Sequence, residues 1–114
     1  MAFFIPPSWG WSERSSLNNP KEIKLHLVHY VYILQSLKKP DWLYKGMTSN
    51  WEKRLVEHNA GKNFSTAPYR PFKLIYYEAY PLKSDAQARE KYLKTSMGKR
   101  VLKKQLSNFL KSVR

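Results

Sequence analysis

Residues 30–61 read YVYILQSLKKPDWLYKGMTSNWEKRLVEHNAG, and this stretch decides the fold. The segment from Val28 to Gln35 is rich in Val, Ile and Tyr, the residue types that favour β-strands. The polar segment 38–41 contains Pro and Asp between two apolar segments, which predicts a turn. Residues 42–48 again favour a strand, so the sequence predicts a β-hairpin.

A helix and a third strand are predicted after the hairpin. Ser49 and Glu52 have the spacing of a capping box at a helix start, and Ala60-Gly61 is typical of a helix end. Residues 61–71 predict a basic loop with two prolines. Residues 73–80 are again rich in Ile and Tyr and predict the third strand.

Two further helices complete the predicted domain. Ser84 and Gln87 form a second capping-box spacing, which opens a helix predicted to run to about Thr95. Gly98 is expected to break this helix, and apolar residues then recur at helical spacing in a last amphipathic helix. The order β-β-α-β-α-α predicts an α+β fold with a three-stranded, largely antiparallel sheet flanked by helices.

The composition indicates one basic domain with a polyanionic partner. The chain has 114 residues and a formal net charge of +13, an excess that indicates nucleic acid first and an anionic membrane second. Basic residues are spread over loops and several helices, which disfavours membrane binding. The absence of cysteine excludes disulfides and thiolate chemistry and suits a cytoplasmic protein. A monomer or a weak homodimer is expected.

The N-terminal segment 1–28 differs from the rest of the chain. It is rich in Pro, Ser, Gly and Asn and follows no helical or strand period, although it contains Trp9 and Trp11. It also lacks the charged-then-apolar order of a signal peptide. We therefore expect a flexible N-terminal extension over residues 1–28 and a folded domain over residues 29–114.

Two pairs of side chains are suited to chemistry, and each has a structural alternative. Tyr32 and Tyr44 fall on the two strands of the hairpin and are expected to be opposite or nearly so, with Cβ atoms ~4.5–5.5 Å apart. Such a pair is also ordinary sheet packing. Arg54 and His58 share a helix face, which suits phosphate binding and proton transfer. The alternative is a solvated helix face.

Acidic and basic residues add two further candidates. The Glu90 carboxylate is a suitable ligand for Mg²⁺, and its alternative role is an ion pair with Lys94 one helical turn away. The basic side chains are interleaved with tyrosines, as expected of a surface that follows phosphates and stacks bases, and their alternative role is solubility. The residues expected to bind nucleic acid are Lys45, Lys62, Arg70, Lys73, Lys99, Arg100, Lys103 and Lys104.

The order of these features resembles the GIY-YIG nuclease family, in particular its small stand-alone bacterial members, described as excinuclease-like endonucleases. Tyr30-Val31-Tyr32, a gap of 11 residues and Tyr44-Lys45-Gly46 match the two signature tripeptides. Residues 48–61 match the family's helix with its Arg and His, and residues 89–94 match the helix with its metal-binding Glu. Tyr30 and Lys45 depart from the Gly and Ile of the family name.

The resemblance implies a role for each matched residue. Tyr32 corresponds to the tyrosine that activates the attacking water, and Tyr44 to a supporting tyrosine. Arg54 corresponds to the arginine that stabilises the phosphate, and His58 to its helical neighbour. Glu90 corresponds to the ligand of a single Mg²⁺ or Mn²⁺ ion. Gly46 corresponds to the glycine of the second signature tripeptide, which allows the strand to pack closely.

The implied activity is metal-dependent hydrolysis of DNA phosphodiester bonds, selective for DNA structure and linked to DNA repair or processing. To act as a base, Tyr32 needs a pKa below its ordinary value of ~10, and a nearby metal and cations are expected to lower it. Some family members place a polar residue, often Asn, after the Glu helix, and this chain has no clear equivalent. The alternative is therefore a catalytically weak or silent module that binds DNA or RNA.

Overall fold

The structure is a computed structural model that describes residues 27–112. The predicted N-terminal extension lies outside the described residues except for its last two positions, and its boundary stays a prediction. Within residues 27–112, none of the helices is long and apolar enough to cross a membrane.

The core of the domain is a three-stranded antiparallel sheet, as predicted. Its strands are β1 (His29–Ser36), β2 (Leu43–Thr48) and β3 (Phe72–Tyr80), arranged in the order β2-β1-β3. β1 is the central strand. Its residues from Val31 to Ser36 are all buried, which shows that both faces of the sheet are covered here.

The sheet is covered by helices on both faces. In chain order they are α1 (Trp51–Asn59), a short 3₁₀ helix (Ala67–Tyr69), α2 (Lys83–Leu93), α3 (Ser96–Gln105) and α4 (Ser107–Ser112).

Alternation of side chains along β1 divides the core into two clusters. Val31 and Ile33 pack with buried residues of α2 and α3, and we call this side of the sheet the α2 face. Tyr32 and Leu34 point the other way and pack with Phe72 and with apolar residues that include one from α1. We call this side the α1 face.

The predicted helix starts are corrected by the structure. α1 is capped by Asn50, whose side chain accepts from the backbone N–H of Lys53 at 3.1 Å. Ser49 is one residue too early for this role, and asparagine is an equally good N-cap. α2 begins at Lys83 without any side-chain cap, so the predicted capping role of Ser84 is wrong.

The predicted break at Gly98 is also wrong. α2 already ends at Leu93, and Thr95 caps α3 by accepting from the Gly98 backbone N–H at 3.0 Å. Gly98 lies inside α3, where a Cβ would come 2.7 Å from the Leu93 Cα. Because glycine has no side chain, α2 and α3 can approach each other closely at this point. The local sequence predicts only that glycine breaks a helix, so it does not reveal this contact. The last amphipathic segment is split at Leu106 into α3 and α4.

Candidate active site

The hairpin places the two tyrosines on one face in a diagonal arrangement. Tyr32 lies opposite Gly46 and Tyr44 lies opposite Leu34. The pair is therefore nearly opposite, offset by two residues along β2, and this offset keeps both side chains on one face because side chains alternate. The two rings still meet on the α1 face, with centroids 6.1 Å apart.

Gly46 provides the space that the Tyr32 ring occupies. A Cβ at this position would lie against the Tyr32 hydroxyl and 2.5 Å from its Cζ. Only glycine fits here without moving the ring, which gives a physical reason for the close packing that the resemblance implies.

The hydroxyl of Tyr32 begins a buried chain of hydrogen bonds. It lies 3.0 Å from Nε2 of His58, and the other ring nitrogen, Nδ1, lies 2.8 Å from the Thr66 hydroxyl. The Thr66 hydroxyl donates to the carbonyl of Asn63 at 3.4 Å, which leaves its oxygen to accept from Nδ1–H of His58. By this assignment, Nε2 carries no proton and accepts from the Tyr32 hydroxyl.

Burial sets the protonation of this chain. Desolvation raises the pKa of Tyr32 to about 12, although a hydrogen bond from Arg54 lowers it. Desolvation and the positive charge of Arg54 lower the pKa of His58 below its ordinary value. Burial therefore outweighs the nearby Arg54 cation, and the lowering of the Tyr32 pKa by a metal stays a prediction. At neutral pH, Tyr32 is a neutral phenol beside a neutral imidazole.

Arg54 lies between this chain and solvent. Its guanidinium is hydrogen-bonded to Tyr32 and forms an ion pair with Glu57, with Nη1 3.0 Å from Oε1. The Arg54 side chain is 37% exposed, so part of its donor fork faces solvent. His58, one turn later, is fully buried, so the alternative of a solvated helix face does not hold for the histidine.

The Glu90 side chain forms no hydrogen bond or ion pair with Tyr32, Tyr44, Arg54 or His58 in the described residues. It is carried by α2, and its Oε2 lies 3.4 Å from Nζ of Lys94, which is the ion pair foreseen as its structural alternative. Within residues 27–112, no group of three or more His, Asp or Glu side chains converges into a metal cage. Mg²⁺ is commonly held by one or two carboxylates together with substrate phosphate and waters. The single Glu90 carboxylate, on a side chain that is 25% exposed, fits only that kind of binding.

The basic residues form separate groups. Lys45 lies on the α2 face, opposite Ile33, as strand alternation predicts. Burial, followed by repulsion from Lys99, Lys103 and Lys94, lowers the pKa of Lys45, so these four lysines are neighbours. The Lys45 side chain therefore lies on the face of the sheet opposite to the Tyr32 hydroxyl.

The remaining predicted nucleic-acid ligands lie elsewhere on the surface. Lys62, Arg100 and Lys104 are exposed. Arg70 lies against Gly61, where a Cβ would come 2.5 Å from its Nη1. Lys73 is positioned over the Phe109 ring, with Nζ 5.4 Å from the centroid.

Thr66 and Asn63 belong to the site but were not predicted from the sequence. Thr66 is fully buried, although it lies in a polar loop that is expected to be exposed. Its position depends on the turn after α1, where Gly61 has a φ of 78°. The polar sequence Asn63-Phe64-Ser65-Thr66 shows a turn but not which side chain points inward.

The region that carries this site is similar to known proteins. Residues 28–104 match the family model described as the GIY-YIG catalytic domain. A UPF0213 protein of Staphylococcus haemolyticus is 43% identical over 76 residues, which are 66% of this chain and 90% of that protein. A UPF0213 protein of Clostridium perfringens is 44% identical over 68 residues, or 59% of this chain and 71% of that protein. The solution NMR structure of a UPF0213 protein from Bacillus halodurans has 32% identity and a TM-score of 0.41, covering 66% of this chain and 81% of that chain.

Proposed function

Since the chain belongs to the GIY-YIG family of nucleases, we propose that it is a metal-dependent endonuclease that hydrolyses DNA phosphodiester bonds. We further propose that it selects its substrate by DNA structure and acts in DNA repair or processing. The observation that carries the proposal is the buried hydrogen-bond chain from Tyr32 through His58 to Thr66, with the Arg54 guanidinium beside it.

The chain of hydrogen bonds supports a proton relay. A phenol with a pKa of about 12 is rarely ionised at neutral pH, so Tyr32 alone is a poor base. In the relay, the Tyr32 oxygen accepts a proton from the attacking water while its own proton moves to Nε2 of His58. The imidazolium then donates from both nitrogens, with Thr66 accepting from Nδ1. Such a positioned general base contributes ~10²–10⁴-fold in rate.

Access to the Tyr32 hydroxyl is narrow. Tyr32 is 1% exposed, and the side chains of Arg54 and Tyr44 lie beside its hydroxyl. These two side chains are only partly buried, so in the proposed mechanism water would reach the phenol between them. Tyr44 would support the site from one side of this path.

Arg54 is suited to bind the scissile phosphate. A guanidinium has five N–H donors, and its bonds to Tyr32 and Glu57 leave donors for phosphate oxygens. Its charge would stabilise the negative charge that develops at phosphorus. Because it also donates to Tyr32, it couples phosphate position to the position of the base.

Glu90 is the residue that would hold Mg²⁺ or Mn²⁺. When bound, the ion would polarise the scissile phosphate and stabilise the leaving oxygen. The ion pair of Glu90 with Lys94 is on the surface, with side chains 25% and 52% exposed. Exposed pairs of this kind are weak, so the carboxylate is available for exchange.

A binding module without cleavage is the second candidate function. One observation favours it: the ion-pair partner of Glu90 is Lys94, and no hydrogen bond or ion pair in residues 27–112 links Glu90 to Tyr32 or Arg54. The basic residues that are predicted to bind nucleic acid would then hold DNA or RNA without a metal. Binding in EDTA, measured beside cleavage in Mg²⁺, separates the two functions.

The test uses labelled branched, nicked and linear DNAs incubated with Mg²⁺ or with EDTA. We expect Mg²⁺-dependent cleavage that favours the branched or nicked substrates. Glu90→Gln keeps the size of the side chain but removes its charge, so it should abolish cleavage and leave DNA affinity equal or slightly higher. Glu52→Gln, an exposed acid on α1, is the matched control and should cut normally. Binding of wild type without cleavage of any substrate would favour the second function.

A further inference from the structure

The loop between α1 and the 3₁₀ helix displays an aromatic ring to solvent. Phe64 is 95% exposed, more than any other large apolar side chain in residues 27–112. Single exposed apolar residues are common on surfaces, so exposure alone has no functional meaning. A functional role is supported by the hydrogen bonds that hold the loop and by the charged residues near it.

Hydrogen bonds fix the loop on both sides of the ring. The Asn63 side chain accepts from the Ser65 backbone N–H at 3.0 Å and from the Ser65 hydroxyl at 2.8 Å. The Asn63 carbonyl accepts from the backbone N–H groups of Thr66 at 3.2 Å and Ala67 at 2.9 Å. The ring is therefore held away from the core by a preorganised turn, which lowers the entropic cost of binding through it.

The loop is tied directly to the candidate active site. Thr66, two residues after Phe64, donates to the loop and accepts from His58. Two residues of chain span at most about 7 Å, so the base of Phe64 lies close to the buried relay. A group stacked on this ring would lie on the side of the site where Thr66 ends the hydrogen-bond chain.

Cations and an open depression accompany the ring. Lys62 is exposed on the same loop, and Arg70 folds back against Gly61 at its start. An open depression of about 540 Å³ is lined by Lys38, Arg70 and neighbouring residues of the same region. An exposed ring on a loop that also carries an exposed cation can bind a base by stacking and a backbone by charge.

We propose that Phe64 stacks on an unpaired base of DNA held at the active site, so that loop 61–66 selects substrates with single-stranded or distorted bases. The inference rests on the proposed function and names the structural feature that its substrate must have. A fully paired, continuous duplex offers no unstacked base to the ring, so it gains nothing from Phe64.

The test measures binding in EDTA, where no cleavage is needed. The probes are a single strand, a flapped duplex and a blunt duplex, each with 2-aminopurine, and the variants are Phe64→Ala and Phe64→Trp. Stacking on one aromatic side chain is worth about 5- to 150-fold in affinity. We expect Phe64→Ala to bind the two probes with unpaired bases with an affinity lower by that factor. Its affinity for the blunt duplex should equal that of wild type. Phe64→Trp should bind normally and quench the 2-aminopurine, as wild type does.

Leu82→Ala, at another exposed apolar residue, is the matched control and should leave every probe unchanged. Equal binding of wild type and Phe64→Ala to all probes, or equal losses on all three, overturns the stacking role alone. Failure of wild type to bind any DNA overturns the proposed function as well. Normal DNA binding by Phe64→Ala together with weaker binding to anionic lipid vesicles assigns the ring to a membrane surface and also overturns the proposal.

Discussion

At the scale of single residues, three polar side chains around the Tyr32 hydroxyl define the candidate site. Its neighbours are the imidazole of His58, the guanidinium of Arg54 and the hydroxyl of Tyr44. In the proposed mechanism each neighbour has a distinct role: His58 would receive a proton, Arg54 would favour a charged oxygen and Tyr44 would support the site. The raised pKa of Tyr32 is a consequence of burial, and it is the reason that the proposed mechanism includes the histidine.

Replacing Tyr32 by Phe separates this chemistry from packing. The ring remains, so the sheet keeps its core, but Nε2 of His58 loses its buried partner at a cost of about 1–3 kcal/mol. Single-turnover cleavage with saturating enzyme should fall by ~10²–10⁴-fold, while DNA affinity should barely change. Tyr44→Phe is the control and should be milder. A Tyr32→Phe enzyme within about threefold of wild type, well outside that range, or a larger loss for Tyr44→Phe, would contradict the assigned role.

Residue spacing was sufficient to predict part of this site. Tyr32 and Tyr44 share a face because the strands alternate, and Arg54 and His58 share one because a helix repeats after about four residues. Thr66 was not predictable, because its contact with His58 crosses a loop whose path depends on a positive φ. The upward effect of burial on the Tyr32 pKa was not predictable either, because burial is a property of the assembled fold.

At the scale of elements, the hairpin, the third strand and the end of α1 before Ala60-Gly61 were predicted correctly, whereas the starts of α1 and α2 and the break at Gly98 were not. A strand is predicted from a pattern over many residues, so one misleading residue has little effect on the prediction. A helix start depends on a single cap, and Asn50 took the role expected of Ser49. Gly98 shows the same limit, since the approach of α2 to α3 determines its role and the local sequence does not.

Gly46→Ala tests whether the hairpin register positions the phenol. The new methyl group would press on the buried Tyr32 ring, and overpacking of this kind costs about 1–3 kcal/mol. A shift of the reacting group by about 1 Å costs ~10²-fold in rate, so cleavage should fall by that order with DNA affinity retained. In a Tyr32→Phe background, the same change should add little to the loss. Additive losses would show that Gly46 acts on something other than the phenol.

At the scale of the whole molecule, the two faces of the sheet have separate roles. The α1 face carries the hydrogen-bond chain of the proposed relay, whereas the α2 face carries the larger apolar cluster and an internal ion pair. Glu78 of β3 accepts from Arg89 of α2 at 3.0 Å and from the hydroxyls of Tyr76 at 2.6 Å and Tyr80 at 2.7 Å. Gln105 of α3 donates to the same Tyr76 hydroxyl at 2.9 Å. This network joins one strand to two helices.

The Glu78 network predicts how stability depends on acid. Burial raises the pKa of Glu78, but the bonds from Arg89, Tyr76 and Tyr80 outweigh it and leave the pKa below its ordinary value of 4.5. The folded state therefore resists protonation more than the unfolded state does. The stabilisation is complete above about pH 4.5 and is lost as the pH falls through the lower folded pKa.

Glu78→Gln should therefore be less stable than wild type by about 1–3 kcal/mol at pH 7, because a nearly buried ion-pair partner is removed. The difference between the two proteins should shrink as the pH falls below about 4.5, where wild type also loses the charge. Urea unfolding at pH 7 and at successively lower pH measures both free energies, and all other carboxylates cancel in the comparison. Glu52→Gln, on an exposed residue of α1, should track wild type throughout. A difference between wild type and Glu78→Gln that stays constant down to pH 3 would show that the carboxylate keeps no depressed pKa, and that the network acts through packing instead of charge.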